Sequence, residues 1–261
     1  MDKDLYGDRM KGYESKERFM PYLPVVARLD GKGFSKFTKG LKRPYDERMI
    51  TLMTETAKYL VDKSNAVISL NQSDEITLIF RPENVFFDGK VQKMTSVLAS
   101  MATAKFNELK ATMLPEKAAT LAVFDCRVFA VPNETEASNA LLWRVHDCVK
   151  NAISMAAHHY FGHARTMNLT GKEKQEKLFQ EAGVNFNDFK KSFKEGVFCR
   201  RVLKEIAIDD ETWDKIPDKH KPESRVVLRH AIEEIEMPIF TKVINRNDVI
   251  FRSAEPKTAE I

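Results

Sequence analysis

Between residues 23 and 131 the apolar residues alternate between two periods, and the order of that alternation restricts the fold more than any single residue does. Leu23 to Asp30 (LPVVARLD) is a short β-branched run that stops at Gly31 and Gly33, a strand followed by a turn. Pro44 and Asp46 then form a helix-start signal with Asp46 as N-cap, and Met49, Leu52, Met53, Thr56, Ala57, Leu60 and Val61 follow at helical spacing. Ala66 to Leu70 and Ile76 to Phe80 read as two strands, and the polar run Asn71-Gln72-Ser73-Asp74-Glu75 between them predicts a hairpin. After Gly89, the residues Val91, Met94, Val97, Leu98, Met101 and Ala102 form the apolar face of a second helix that ends near Leu109. Ala119 to Val131 is a further strand, closed by Pro132. Strand, helix, strand, strand, helix, strand is the split βαβ, or ferredoxin-like, order. It predicts an α+β fold, an antiparallel sheet with both helices on one face.

The second half reads differently. Leu141 to His159 is apolar at helical spacing, Lys172 to Ala182 is a short lysine-rich helix, and Val197 to Ile206 is a strand or an extended segment. From Asp209 the chain is acidic and then mixed, with Pro217, Pro222, Pro238 and Pro256 breaking it into short pieces. The expectation is a catalytic region over 1–135 and a mostly helical extension over 136–261 packed on it as one compact unit.

Composition excludes several classes. At 43% hydrophobic, the 261 residues are enough for a sizeable core. A net charge of +4 does not mark a histone-like binder but leaves room for a local basic groove. No apolar run approaches the roughly 18–20 residues that span a bilayer, so no membrane partner is expected. Met1 to Arg18 is polar and charged, unlike a secretory signal. Cys126, Cys148 and Cys199 are odd in number and far apart, which argues against a disulfide framework or a zinc site and for a reducing, cytoplasmic setting. His159 and His163 are four apart, but no glutamate follows His159 as in H-E-x-x-H.

The chemistry points to two places. In Arg28-Leu29-Asp30-Gly31-Lys32-Gly33-Phe34 a carboxylate leaves a strand and meets a Gly-x-Gly turn, whose N–H groups form a candidate phosphate nest. Mg²⁺ takes one or two carboxylates together with substrate phosphates, and Asp30 suits that description. Ser73-Asp74-Glu75 sits at the predicted hairpin. In a split βαβ sheet the first strand and the hairpin are neighbours, so Asp30 and Asp74 meet at one end. Two carboxylates sharing two Mg²⁺ ions is the design of two-metal nucleotidyl transfer.

The motifs A-R-L-D-G-K-G-F-S-K-F, K-R-P-Y-D and N-Q-S-D-E-I-T-L-I-F, in this order and spacing, resemble the tRNA-histidine guanylyltransferase family, including its tRNA-repair branch of guanylyltransferase-like proteins. Phe124-Asp125-Cys126-Arg127-Val128, Leu142-Trp143-Arg144 and Asp147-Cys148 are further landmarks, and the resemblance covers roughly residues 5–205. It implies a polymerase-like palm that extends the 5′ end of a tRNA in the 3′–5′ direction, with Mg²⁺, with GTP or another NTP as donor, and with ATP activating a 5′-monophosphate. By this resemblance Asp30 and Asp74, with the Gly31 carbonyl, hold metal. Asp30, Gly31, Lys32, Gly33, Phe34, Ser35, Arg43, Ser73 and Asp74 contact the nucleotide, Glu75 is a supporting acid, and the assembly is a homotetramer.

Two positions depart from the family pattern. A family lysine associated with activation corresponds to Arg43, with Lys42 beside it, and the two cations are not equivalent at a phosphate. Where eukaryotic members carry His-Ile-Asn-Asn-Leu-Tyr-Asn, this chain has Val149-Lys150-Asn151-Ala152-Ile153-Ser154-Met155, keeping only Asn151 in register. That departure favours the repair branch over strict single-G addition. Lys190, Lys191, Lys194, Arg200 and Arg201, interleaved with Phe189, Phe193 and Phe198, form either a solvated face or a tRNA backbone site. Lys3, Arg9, Lys11, Lys16 and Arg18 are a weaker version of the same idea. The alternatives are a palm-fold nucleotide cyclase acting on free GTP or ATP, and a non-catalytic RNA-binding palm.

Overall fold

The structure, a computed structural model, describes residues 5–259. After a short helix α1 (Leu5–Lys11), strand β1 (Val25–Gly31) leads through the one-turn α2 (Phe34–Phe37) into α3 (Glu47–Ser64). The hairpin β2 (Ile68–Gln72) and β3 (Glu75–Phe80) follows, then α4 (Val91–Met113), β4 (Phe124–Ala130) and the long α5 (Glu134–Phe161). The rest is α6 (Gly171–Ala182), α7 (Lys191–Lys194), β5 (Val197–Ala207), α8 (Asp210–Lys215), β6 (Val226–Ile235) and α9 (Arg246–Phe251). The strands form one antiparallel six-stranded sheet in the order β4-β1-β3-β2-β5-β6.

Alternation along the strands sorts side chains between two cores. On one face Val25, Ala27, Leu29, Ile76 and Leu78 pack against Leu52, Met53 and Leu60 of α3 and Leu98 and Phe106 of α4, so both of these helices lie on the same side, as the periodicity predicts. On the other face Val26, Ile68, Leu70 and Ile79 meet Leu141, Val145 and Cys148 of α5 and Val249 and Ile250 of α9. Helix α3 starts where expected: Asp46 is its N-cap and accepts the Arg48 N–H at 3.0 Å. Helix α5 starts at Asn133, whose side chain accepts the Glu136 N–H at 2.9 Å, earlier than its apolar spacing indicates. Among the described residues no helix is long and apolar enough to cross a membrane.

The main difference from expectation lies beyond residue 196. β5 pairs with β2, and β6, in the segment read as short helical pieces, pairs with β5 over its whole length. The reason is that β6 forms by edge pairing, not by burial: most of Val226–Ile235 is exposed or half-buried, so its apolar pattern carries little signal. The sheet therefore runs continuously through residues on both sides of position 135.

Candidate active site

The end of β1 is built by its two glycines. A Cβ on Gly31 would stand 2.4 Å from the Phe34 ring, so glycine there lets the ring fold back over the strand end. Gly33 has φ 69°, left-handed backbone that admits the turn into α2. Phe34 is buried among Phe37, Phe106 and Phe124, with ring centroids 5.0–5.4 Å away, and anchors the turn to the core. The opposing turn is tight: Ser73 takes φ 55° between Gln72 and Glu75, which pair across the hairpin. The two turns are joined where the Gly31 N–H donates to the Asp74 carbonyl at 3.0 Å.

This joint brings Asp30 and Asp74 together. Burial holds the Asp74 carboxyl above the ordinary carboxylate range, the Ser73 hydroxyl bond at 3.1 Å opposes this, and the nearby charge of Asp30 adds to it. Asp30 keeps 32% of its side-chain surface exposed. In register, Asp30 lies between Glu75 on β3 and Asp125 on β4, so a row of carboxylates crosses three strands on the face that α5 covers. Arg28, two residues back on the same face, is flanked by Arg127, and Arg127 lies 3.0 Å from Asp125 and 4.0 Å from Asp30.

Glu75 has a partner that sequence reading missed. Arg144 of α5 is buried, donates to Glu75 through Nη2, and donates to Asp147 through Nη1 at 2.8 Å. The bond joins residues far apart in sequence, so no local pattern announces it. Part of the expected phosphate nest is also spent inside the protein. The Gly31 N–H serves Asp74, and the Lys32 N–H donates to the Val123 carbonyl at 2.8 Å. Lys32 and Ser35 are both exposed.

Beside Asp74 opens a cavity of about 310 Å³. Phe34, Ser35, Arg43, Ser73 and Asp74 line it, together with Tyr45, Met155 and Phe193, which sequence reading did not assign to the site. Tyr45 and Phe193 stack at 4.4 Å, and the Gln72 amide donates to the Phe193 carbonyl at 3.0 Å. A cavity with aromatic and apolar walls beside two carboxylates suits a nucleobase whose phosphates lie toward Asp30 and Asp74.

The basic cluster does not form one patch. Lys190 pairs with Glu47 at 2.8 Å, Lys191 donates to the Met237 carbonyl, and Lys194 donates to the Asn187 carbonyl at 2.6 Å. Arg200 is buried and holds Glu233, Glu255 and the Ser253 and Ala254 carbonyls, which fastens the C-terminal segment. Arg201 caps the end of α3 through the Val61 and Asp62 carbonyls, both at 2.7 Å. Phe189 and Phe193 pack against Tyr45, and Phe198 packs against Phe240 in the core. In the N-terminal basic group, Lys3 lies outside the described residues.

Residues 7–132 match the family Thg1, described as tRNAHis guanylyltransferase. A bacterial tRNA(His) guanylyltransferase (Thg1)-like protein in complex with ATP superposes with a TM-score of 0.76 at 32% identity, over 94% of this chain and 99% of that one. The bacterial Thg1-like protein in complex with GTP gives 0.68 at 32% identity, over 92% and 95%. The tRNA(His) guanylyltransferase of Eremothecium gossypii is 29% identical over 219 residues, 77% of this chain and 92% of that protein.

Proposed function

Since the chain belongs to the tRNA(His) guanylyltransferase family and is a nucleotidyltransferase on that ground, we propose that it extends the 5′ end of tRNA in the 3′–5′ direction, using NTPs and Mg²⁺. The observation that carries this reading is the junction of Asp30 and Asp74 beside a stacking cavity that shares Asp74. The donor set fits Mg²⁺, which needs only one or two carboxylates and completes its shell with water and phosphate oxygens. A cation held by Asp30, Asp74 and the Gly31 carbonyl would also relieve the unfavourable ionisation of Asp74. When bound, Mg²⁺ supplies charge for the phosphates and activates the attacking hydroxyl.

The side chains do the rest. Tyr45, Phe34 and Phe193 enclose the base of ATP or GTP, and Ser35 and Ser73 face its phosphates. Arg43, exposed at the lip with Lys42, meets the triphosphate charge, with a planar guanidinium where the family uses lysine. Glu75 acts as a positioning residue through Arg144. Of the basic cluster, Lys190, Lys191 and Lys194 beside the cavity can meet tRNA phosphate by releasing their present partners, and Arg200 is assigned to the fold. Exposed Leu203, Ile206, Val226 and Leu228 on the β5–β6 arm support assembly with further copies, in line with a homotetramer.

We assign the chain to templated 5′-end repair, because Met155 contributes an apolar wall from the segment that departs from the eukaryotic pattern. The test is a gel assay with labelled full-length tRNA-His and a tRNA lacking its first nucleotide, given ATP, all four NTPs and Mg²⁺. Extension of the truncated tRNA that stops at the completed acceptor stem supports repair. A single G added to intact tRNA-His, as the names of the relatives suggest, replaces it with the guanylyltransferase activity proper. No growth of either RNA, even from a 5′-triphosphate, defeats the proposal.

A further inference from the structure

Trp143 is 46% exposed, although it sits on α5 between Leu141 and Arg144, both of which the helix buries. Two guanidiniums approach its ring, Arg144 with Cζ 4.7 Å and Arg28 with Cζ 5.6 Å from the centroid. Both belong to the carboxylate row: Arg28 shares a strand face with Asp30, and Arg144 holds Glu75. Leaving an indole in water forgoes the burial that favours folding, yet among the described residues nothing covers this one fully. A half-exposed aromatic ring flanked by cations is what single-stranded nucleic-acid sites employ, with bases stacking on the ring and phosphates meeting the charges.

Its position gives it a place in the reaction. Met155, in the wall of the nucleotide cavity, lies about three turns further along α5, roughly 18 Å at 1.5 Å per residue. Arg144 and Asp147, with Glu75, fall between them. Helix α5 thus passes the cavity at one end, the carboxylates in the middle and Trp143 at the other. We infer that Trp143, with Arg28 beside it, is the stacking platform for the terminal base of the RNA being extended. The RNA end reaches the carboxylates from the side opposite the incoming nucleotide. This rests on the reading of the chain as a nucleotidyltransferase acting on RNA, within which Trp143 is a positioning residue.

The chain has two tryptophans, so Trp213→Phe leaves Trp143 as its only indole emitter. Trp213 lies on α8 against Arg225 and Lys221, away from the carboxylate row. The W213F protein is titrated with a tRNA lacking its first nucleotide, and separately with GTP and ATP. The inference expects saturable quenching by the tRNA and none by the nucleotides. In the transfer assay Trp143→Ala raises the KM for RNA about 10-fold and leaves the KM for GTP unchanged, and Trp143→Tyr restores most of the loss. Emission that ignores saturating tRNA overturns the inference. So does a loss in Trp143→Ala that falls equally on RNA and GTP, or quenching that follows protein concentration alone, which would mean that a second copy covers the ring. If quenching occurs but no transfer is ever seen, the reading as a transferase fails and takes the platform's role in extension with it, leaving Trp143 an RNA-binding ring only. If transfer occurs without quenching, the platform alone fails.

Discussion

Removing Arg144 separates a strut from a catalytic acid. Its guanidinium has 6% of its side-chain surface exposed and links Glu75 of the hairpin to Asp147 of its own helix, so it ties α5 to the edge of the carboxylate row. Breaking a fully buried ion pair costs about 3–5 kcal/mol. Glu75 and Asp147 are 25% and 29% exposed, so water partly rehydrates them once the arginine is gone. Arg144→Ala is therefore expected to cost about 2–3 kcal/mol, at or below the low end of that range. In a chain of this size the loss lowers Tm by about 4–12 °C. Glu75→Gln keeps an acceptor for Arg144 and should melt within about 1 kcal/mol of the parent. In a double-mutant cycle, Arg144→Ala with Glu75→Ala should show a coupling of about 1–2 kcal/mol, because the second change removes the stranded carboxylate. The assays are thermal melts alongside nucleotide transfer. If the two alanine costs simply add, the pair is no strut. If Glu75→Gln melts like the parent but has lost transfer, Glu75 is an acid after all.

Three further outcomes follow from the same structure. Asp30→Asn and Asp74→Asn should each abolish transfer with the fold intact. Asp74→Asn should melt at or above the parent temperature, by up to about 2 kcal/mol, since its ionised form is unfavourable in the folded chain; a clear fall in Tm would refute that. Asp46→Ala should cost about 1 kcal/mol by uncapping α3. The Arg48 side chain is the main cause holding the Asp46 carboxyl below 3.8, so the capped charge stabilises the fold fully above about pH 4 and is lost as pH falls through the folded value. The deficit of the alanine variant should therefore shrink between melts at pH 7 and pH 3. Burial pushes the thiols of Cys126, Cys148 and Cys199 up to about 12, so a disulfide reagent at pH 8 should label none in the native protein and all three after denaturation.

What could be read in advance follows the range of the interaction. The order from β1 to β4 was legible because each element carries its own periodicity, and the Asp46 cap because it acts on the next turn. Asp30 and Asp74 were legible as a pair only through topology, since antiparallel neighbours bring the end of β1 to the β2–β3 turn. The bond from Arg144 to Glu75, the burial of Arg200 by the C-terminal segment and the stack of Tyr45 on Phe193 each join residues far apart in sequence. They leave no local trace. Strand β6 escaped because its stability comes from pairing with β5, and an exposed strand has no need for a clean alternation. The Gly31 and Lys32 N–H groups looked free in a glycine turn and are consumed by carbonyls of the neighbouring turn and of the loop before β4.

The cavity also bears on how the added base is chosen. A site that hydrogen-bonds a substrate edge rejects the wrong analogue by about 10⁴–10⁵, whereas an apolar one separates similar groups by only about 10–200-fold. Here several of the polar side chains at the cavity are engaged by the protein itself, and in the reading proposed above Ser35, Arg43, Ser73 and Asp74 serve the phosphates and metal rather than the base. Asp46 accepts from Arg48 and from the Lys42 N–H, the Gln72 amide donates to Phe193, and the Thr38 hydroxyl donates to Phe34. What remains for a base is mainly aromatic and apolar surface from Phe34, Tyr45, Phe193 and Met155, and stacking on such surface tolerates every base because every base has a π-face. Selection must then come from elsewhere in the complex. In the templated repair proposed above, the opposite strand of the acceptor stem would supply it by pairing, provided that the RNA end is held in a fixed orientation at the carboxylates. An enzyme whose cavity stacks the nucleotide loosely needs a firm grip on the RNA, which is the role inferred above for Trp143 beside Arg28 and Arg144.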